Sequence, residues 1–423
     1  MDRRIQRSLL SLAAGLLALF VSANLLAQAE QCGVERKVVA KALDELTWKQ
    51  LNRVYEEVGK ENFDSAYDDL QKMLRRAGKD EYVQAVLYQA LAQVEWSREN
   101  YDASLDYFER AVGLDVLPDP THFALIYQIA QLYLMQDRYQ DAQDALDLWF
   151  CKVPSEQVNS HAWVLKASIS AQTEDYGEAL AAIERAIAMD DDPKESWYQL
   201  KLAAHFELKQ FPQAAETMET MIARWPDKKT YWLQLSQVYY KLKREERALA
   251  TMALAYRKNL LDEQADMIYL SSLYSNADVP YRAAEVLEKG IRDGVVEASK
   301  SHWTMVAESW YSAEELEKSL VAFREAGTVA GDGDIDLRRG YILVDLEDWQ
   351  EALEALNAAI DKGGLNDRRS GEAYLLRGMA QFNLGNYDAA SADWGRASRY
   401  EGTRNAARQW MNHLREETLH RAS

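Results

Sequence analysis

Small and apolar side chains recur along this chain in a fixed relation. A small residue stands at Ala66, Ser104, Ala142, Ala179, Ala214, Ala248, Ala283, Ser319, Ala352 and Ala390, successive members lying 33 to 38 positions apart. Four residues after each comes an apolar side chain: Leu70, Phe108, Leu146, Ile183, Met218, Met252, Leu287, Phe323, Leu356 and Trp394. Three further on comes a second, mostly small one: Met73, Ala111, Trp149, Ala186, Met221, Ala255, Gly290, Ala326, Ala359 and Ala397. Offsets of four and seven define one face of an α-helix, and a small residue at the head of that face admits a neighbouring backbone closely. A period in the thirties predicts stacked helical units, each burying its face against its neighbours.

The helix that carries this face is announced three residues earlier by Phe63, Tyr101, Tyr139, Tyr176, Phe211, Leu316, Trp349 and Tyr387. Glu245 and Pro280 stand there in the sixth and seventh units. Asp or Glu often follows, as at Asp102 and Asp388, where negative charge meets the positive end of the helix dipole. A preceding helix has its own stripe, as in Trp232, Leu235, Ser236 and Tyr239, or Ile126, Ile129, Ala130 and Tyr133. Pro154, Pro193, Pro226 and Gly363-Gly364 end helices between units. Each unit is therefore expected to be two antiparallel helices and a tight turn, in an all-α solenoid of about ten such units.

An aromatic early in the unit, Leu then a small residue, and Ala, Phe and Ala in the second helix resemble the tetratricopeptide repeat, with its nominal period of 34. The stretch from Tyr101 to Ala111 (YDASLDYFERA) is an especially close match. The resemblance covers about residues 47–402 and implies a superhelical array. Residues 30–46 are then an N-terminal arm or helix, and residues 403–423 a closing helix and tail whose apolar side covers the last unit.

Composition changes this picture mainly at the chain's beginning. Arg3, Arg4 and Arg7 precede an apolar run from Leu9 to Ala27, and Ala27-Gln28-Ala29 offers small residues where a signal peptidase requires them. Residues 1–29 read as a cleaved secretory leader; the run from Ser8 is also about long enough for an uncleaved inner-membrane anchor. The expected location is the periplasm. Of the two cysteines, Cys32 and Cys151, an oxidising compartment allows a disulfide pinning the arm to the third unit, and two free thiols are the other reading. The net charge of −19 argues against nucleic-acid binding, which needs a basic footprint, and suits solubility or basic partners.

No nucleophile elbow, zinc-protease motif, phosphate loop or paired CxxC is present, so no enzyme, cofactor or metal site is expected. Asp332, Asp334 and Asp336 begin like a calcium loop, but Leu337 and Leu343 stand where that loop needs Gly and Glu. The six histidines are scattered over the units.

A narrower resemblance lies in the run from Tyr231 to Ser236 (YWLQLS), the run from Val279 to Gly290 and the order of unit lengths. These are similar to the periplasmic tetratricopeptide proteins that accompany TonB, ExbB and ExbD in Gram-negative bacteria, which implies an accessory role in TonB-dependent transport. A scaffold for cell-envelope or polysaccharide assembly is the alternative. The repeat resemblance also implies where a protein partner would lie, on one side of the first helices. Numbered from the recurrent alanine, that side carries Gln93, Trp96, Tyr127, Gln131, Phe206, Gln237, Tyr240, Tyr311, Tyr341 and Phe382. The face is expected to be aromatic and amide-rich rather than charged, suited to an extended peptide. The Lys and Asn clamp that chaperone-binding members use for a terminal carboxylate is missing from these places.

Overall fold

The computed structural model describes residues 36, 38 and 41–422, the side chains of 419–422 excepted. The apolar run Leu9–Ala27 and Cys32 lie outside the described residues; Cys151, the other cysteine, carries no free thiol. Among the described residues every regular element is helical, and no helix is long and apolar enough to cross a membrane. The chain divides into two compact units, residues 1–217 and 218–423.

The first unit contains α1 (Glu45–Gly59), α2 (Phe63–Ala77), α3 (Glu81–Ser97), α4 (Tyr101–Gly113), α5 (Asp119–Met135), α6 (Tyr139–Lys152), α7 (Ser160–Gln172), α8 (Tyr176–Ala188) and α9 (Glu195–Glu207). The division falls within α10 (Phe211–Arg224). The second unit contains α11 (Lys229–Lys241), α12 (Glu245–Arg257), α13 (Gln264–Asn276), α14 (Pro280–Arg292), α15 (Lys300–Ser312), α16 (Leu316–Val329), α17 (Asp334–Asp345), α18 (Trp349–Lys362), α19 (Asp367–Asn383), α20 (Tyr387–Ala397) and α21 (Arg404–Ala422). Within each unit, helices adjacent in sequence pack on one another.

All ten second helices begin three residues before the recurrent small residue, including those opened by Glu245 and Pro280. The small residue is completely buried in every repeat, and the apolar residue four later is nearly so. Close approach is what this position requires. Where serine replaces alanine, its hydroxyl reaches the facing helix: Ser104 Oγ donates to Ala92 O at 2.8 Å and Ser319 Oγ to Ala307 O at 2.9 Å. The same contact is made in reverse by Ser236 to Ala248 O and Ser271 to Ala283 O. At two such crossings the first helix has glycine. A Cβ on Gly340 would lie 2.6 Å from Leu356 Cδ2, and one on Gly378 would lie 2.4 Å from Trp394 Nε1.

Every hairpin turns in the same way. The residue five before the small position has a left-handed backbone in all ten repeats: Glu61, Glu99, Asp137, Glu174, Lys209, Lys243, Asp278, Glu314, Glu347 and Gly385. The next N–H then closes on the carbonyl five residues back, as from Asn62 to Glu57 and from Asn386 to Gln381, over 2.8–3.0 Å. This is the Schellman end of a helix, which satisfies carbonyls that have no partner within the helix. Nine of the ten positions carry a side chain that disfavours that backbone by ~1–2 kcal/mol.

The second unit is closed by α21, where Trp410 stacks on Trp394 at 5.4 Å and Thr403 Oγ1 donates to Ala397 O at 2.7 Å. The helix runs from Arg404 to Ala422. Beside it, Arg377 forms a two-pronged pair with the buried Asp393 carboxylate, both bonds 2.7 Å, and also donates to Asn357 Oδ1.

Candidate protein-binding face

In the first unit, α5 and the end of α6 form the walls of a cleft of about 570 Å³. Proline at the second position of α5 suits a helix start, where its missing N–H has no partner to lose. From there Phe123, Tyr127 and Gln131 follow at four-residue steps on one side of the helix and line the cleft, with Gln128 beside them. Trp149 meets Tyr127 with ring centroids 5.2 Å apart, and Lys152, Val153, Pro154, Gln157 and Asn159 continue the lining. Burial alone pushes the Tyr127 phenol above its ordinary pKa. The Gln128 Oε1 atom is buried and accepts no hydrogen bond among the described residues. Two residues expected on the binding side, Tyr127 and Gln131, are thus brought together in one concavity.

Trp149 and Gln128 were not among the expected residues. Trp149 occupies a place that is small in most repeats, which is the one signal in the sequence that it serves something beyond the interhelical core. Gln128 carries none, because its role depends on the loop after α6.

The other expected residues divide by exposure. Gln93 is half-buried on α3. Trp96 packs edge-on against Tyr101 at 5.8 Å, and Phe206 against Phe211 at 6.2 Å. Phe382 is taken up by the closing of the array: Tyr387, Trp394, Trp410 and His413 all lie within 6.0 Å of its ring centroid. These three rings pack on neighbouring helices instead of presenting a free aromatic face. Gln237 and Tyr240 on α11, Tyr311 on α15 and Tyr341 on α17 are exposed, Tyr311 by half its surface.

Around Tyr341 the expectation of an uncharged face fails. A second cleft of about 650 Å³ is lined by Lys300, Asp334, Arg338, Tyr341, Arg368, Arg369 and Glu372. The cations come from the start of α15, the middle of α17 and an extra turn at the start of α19, outside the places counted from the recurrent alanine. Each is paired: Lys300 with Asp332 at 2.8 Å, Arg369 with Asp334 at 2.6 Å, Arg368 with Glu372 at 2.9 Å, and Arg338 with Glu308. Burial, and then the Glu372 carboxylate that accepts its hydrogen bond, raise the Tyr341 phenol above its ordinary value. A third cleft of about 600 Å³ adjoins Tyr281 and Trp310, with the Lys318 ammonium 4.7 and 4.5 Å from their ring centroids.

Acidic clusters carry internal cations. Asp336 pairs with Lys362, so each member of the Asp332, Asp334, Asp336 run has its own Lys or Arg. Asp262, Glu263 and Asp266, whose oxygens lie within 4.8 Å of one another, share the Lys229 ammonium at 2.6, 2.7 and 3.1 Å. Those hydrogen bonds, from Asp262 first, hold Lys229 well above its usual pKa. The described histidines serve packing and turns: His161 meets Trp197 edge-on, His205 Nδ1 bonds Gln210 Oε1 at 2.9 Å, and His302 Nδ1 bonds Glu297 O at 2.8 Å.

A family model described as tetratricopeptide repeat matches residues 127–196, 203–259 and 337–406, and a second of the same description matches residues 85–115. No curated protein matches the chain. Among solved structures, a tetratricopeptide repeat protein from Parabacteroides merdae is 12% identical, with 65% of this chain and 98% of that chain covered and a TM-score of 0.38. YrrB, a repeat protein with an unusual peptide-binding site, is 15% identical over 44% of this chain and 89% of its own, with a TM-score of 0.36. The TPR2AB domain of yeast Sti1, in complex with pHSP90, is 14% identical over 60% and 96%, with a TM-score of 0.32. At such scores no detail of those proteins carries over to this one.

Proposed function

We propose, from the premise that the chain belongs to the tetratricopeptide-repeat family, that it is a non-enzymatic adaptor holding extended segments of other proteins. The observation that carries this reading is the α5–α6 cleft, where Tyr127 and Gln131 meet Trp149 and the unpartnered Gln128 oxygen. A buried acceptor left without a donor costs ~1–3 kcal/mol, and a peptide N–H would remove that cost. Gln131 can donate to and accept from the same backbone, while the rings cover proline or aliphatic side chains. The exposed Gln237, Tyr240 and Tyr311 offer the second unit the same chemistry.

The finer reading is a periplasmic accessory of a TonB-type energy-transducing system, with TonB, ExbB or ExbD as partners. It is supported by the leader-like residues 1–29 and by the resemblance of the Tyr231–Ser236 and Val279–Gly290 stretches. The charge of −19 favours a basic segment as the bound element. Photo-cross-linkers placed at Tyr240 and Tyr311 in cells should capture an envelope protein of this machinery. A peptide from the captured region should then bind at least tenfold more weakly to Tyr240→Ala/Tyr311→Ala and lose affinity with salt. Capture of no envelope protein, or affinity indifferent to both changes, would sink the reading.

A further inference from the structure

At one end of the α5–α6 cleft the array grips a guanidinium. Arg36 Nε donates to Asp115 Oδ1 and Nη1 to Asp119 Oδ1, both at 2.6 Å, and Nη2 donates to Leu117 O at 3.1 Å. The guanidinium carbon sits 5.7 Å from the Phe123 ring centroid, and the side chain is only 10% exposed. Two carboxylates, a carbonyl and a ring face suit the planar fork of donors that arginine carries, and a lysine ammonium cannot match them all.

Every group that holds this guanidinium belongs to the array. Asp115 and Leu117 come from the loop between α4 and α5, Asp119 is the first residue of α5, and Phe123 lies one turn on. The loop is fixed from within: Leu117 is buried, and Asp115 has a left-handed backbone whose N–H closes on Val112 O at 3.0 Å. Both carboxylates stay more than half exposed with Arg36 in place, so they can be reached from solvent. The arm that brings Arg36 is seated elsewhere, through Leu43 on the core of the first repeat. Its residues Lys41, Ala42 and Asp44 are exposed, and residues 41–44 lie in no regular element.

This grip is continuous with the cleft. Asp119 and Phe123 line it, and Tyr127 and Gln131 follow on the same side of α5. At a rise of ~1.5 Å per residue, Phe123 and Gln131 are ~12 Å apart along the helix, which an extended chain spans in ~4 residues.

We propose that Asp115, Asp119, the Leu117 carbonyl and Phe123 form an arginine-binding subsite at the end of the cleft, filled by Arg36 in the unbound chain and taken over by an arginine of the bound segment. The proposal rests on the adaptor function above and narrows its ligand: the segment carries an arginine ~4 residues from the part that meets Gln131. Charge supports the exchange. His122, 3.9 Å from Asp115, has its pKa pushed down to about 4, first by burial, and is neutral at pH 7. Once Arg36 leaves, Asp115 and Asp119 present two negative charges to an incoming cation.

Isothermal titration of the full chain with N-acetyl-arginine amide tests the subsite without a partner. Arg36→Ala should bind this probe at least ~10-fold more tightly than the parent, because apparent affinity falls with the fraction of sites left vacant. Arg36→Lys keeps the charge, disturbs folding less and fills the fork poorly, so it should give a rise of at least ~3-fold. Adding Asp115→Asn and Asp119→Asn to Arg36→Ala should cost at least ~10-fold, and N-acetyl-lysine amide should bind Arg36→Ala at least ~5-fold more weakly than the arginine probe. Equal binding by the parent and both Arg36 variants overturns the proposal, as does affinity indifferent to the two aspartate changes or to arginine against lysine. Cross-linking at Tyr240 and Tyr311 tests the adaptor function separately, so either result can fail while the other stands.

Discussion

Gly378→Ala separates close packing from helix propensity, because the two effects oppose each other there. Alanine is favoured over glycine inside a helix by ~1 kcal/mol. At Gly378, though, the added Cβ would lie 2.4, 2.6 and 2.9 Å from Trp394 Nε1, Cδ1 and Cε2, where carbon contacts normally begin at ~3.5 Å. The ring has nowhere to go: Trp394 is fully buried, stacked on Trp410 and 5.9 Å from Phe382. Moving it stretches the Nε1 bond to Leu375 O, now 3.2 Å. Overpacking of this kind costs ~1–3 kcal/mol, and the strained hydrogen bond adds up to ~1 kcal/mol. Net destabilisation after the propensity gain is ~2 kcal/mol, which in a domain of this size lowers Tm by ~4–8 °C. Gly395→Ala is the control, since nothing lies within 4 Å of its Cβ; it should stabilise by ~0.5–1 kcal/mol. Thermal and urea unfolding followed by tryptophan fluorescence would measure both. If Gly378→Ala is as stable as the parent, or the two substitutions shift Tm in the same direction, the close-approach argument is wrong.

Three other outcomes follow from the same structure. Asp393→Ala leaves the Arg377 guanidinium without its carboxylate and should cost ~3–5 kcal/mol in urea unfolding, whereas Arg377→Met/Asp393→Leu should recover most of that loss; equal losses would refute the pairing argument. Glu99→Gly relaxes a left-handed turn and should stabilise by ~0.5–1 kcal/mol, while Gly385→Ala should destabilise by ~1 kcal/mol, both read as shifts in the urea midpoint. The His122 imidazole is pushed down to about 4, first by burial and then by the Arg36 cation, against the pull of Asp115 and Asp119. The unfolded chain therefore binds its proton first: His122 costs nothing above pH ~6.5, and stability falls from there to pH ~4, by ~2 kcal/mol at pH 5. His122→Gln should lose that part of the acid slope, and a variant as acid-sensitive as the parent would contradict it.

Much of the fold could be read from the sequence alone. The recurrent small residue and its partners four and seven later set which side of each second helix is buried, and the residue three before it marks where that helix begins. Both are short-range consequences of a 3.6-residue helical turn, so one chain segment contains all the information needed. The turns did not announce themselves: Glu99, Lys243 and Asp278 are ordinary helix-surface residues by type, and their left-handed backbones arise because two packed helices force the chain to reverse there. Exposure was equally out of reach. Periodicity places Phe382 and Tyr311 on the same side of their helices, yet only the neighbouring helices decide that Trp394 and Trp410 cover the first while the second stays open. In the same way α6 and the loop after it make a cleft of Tyr127 and Gln131, and an extra turn of α19 brings charge to Tyr341. Helical register is a local property of the chain; what covers a side chain is decided by residues distant in sequence, and so by the tertiary structure.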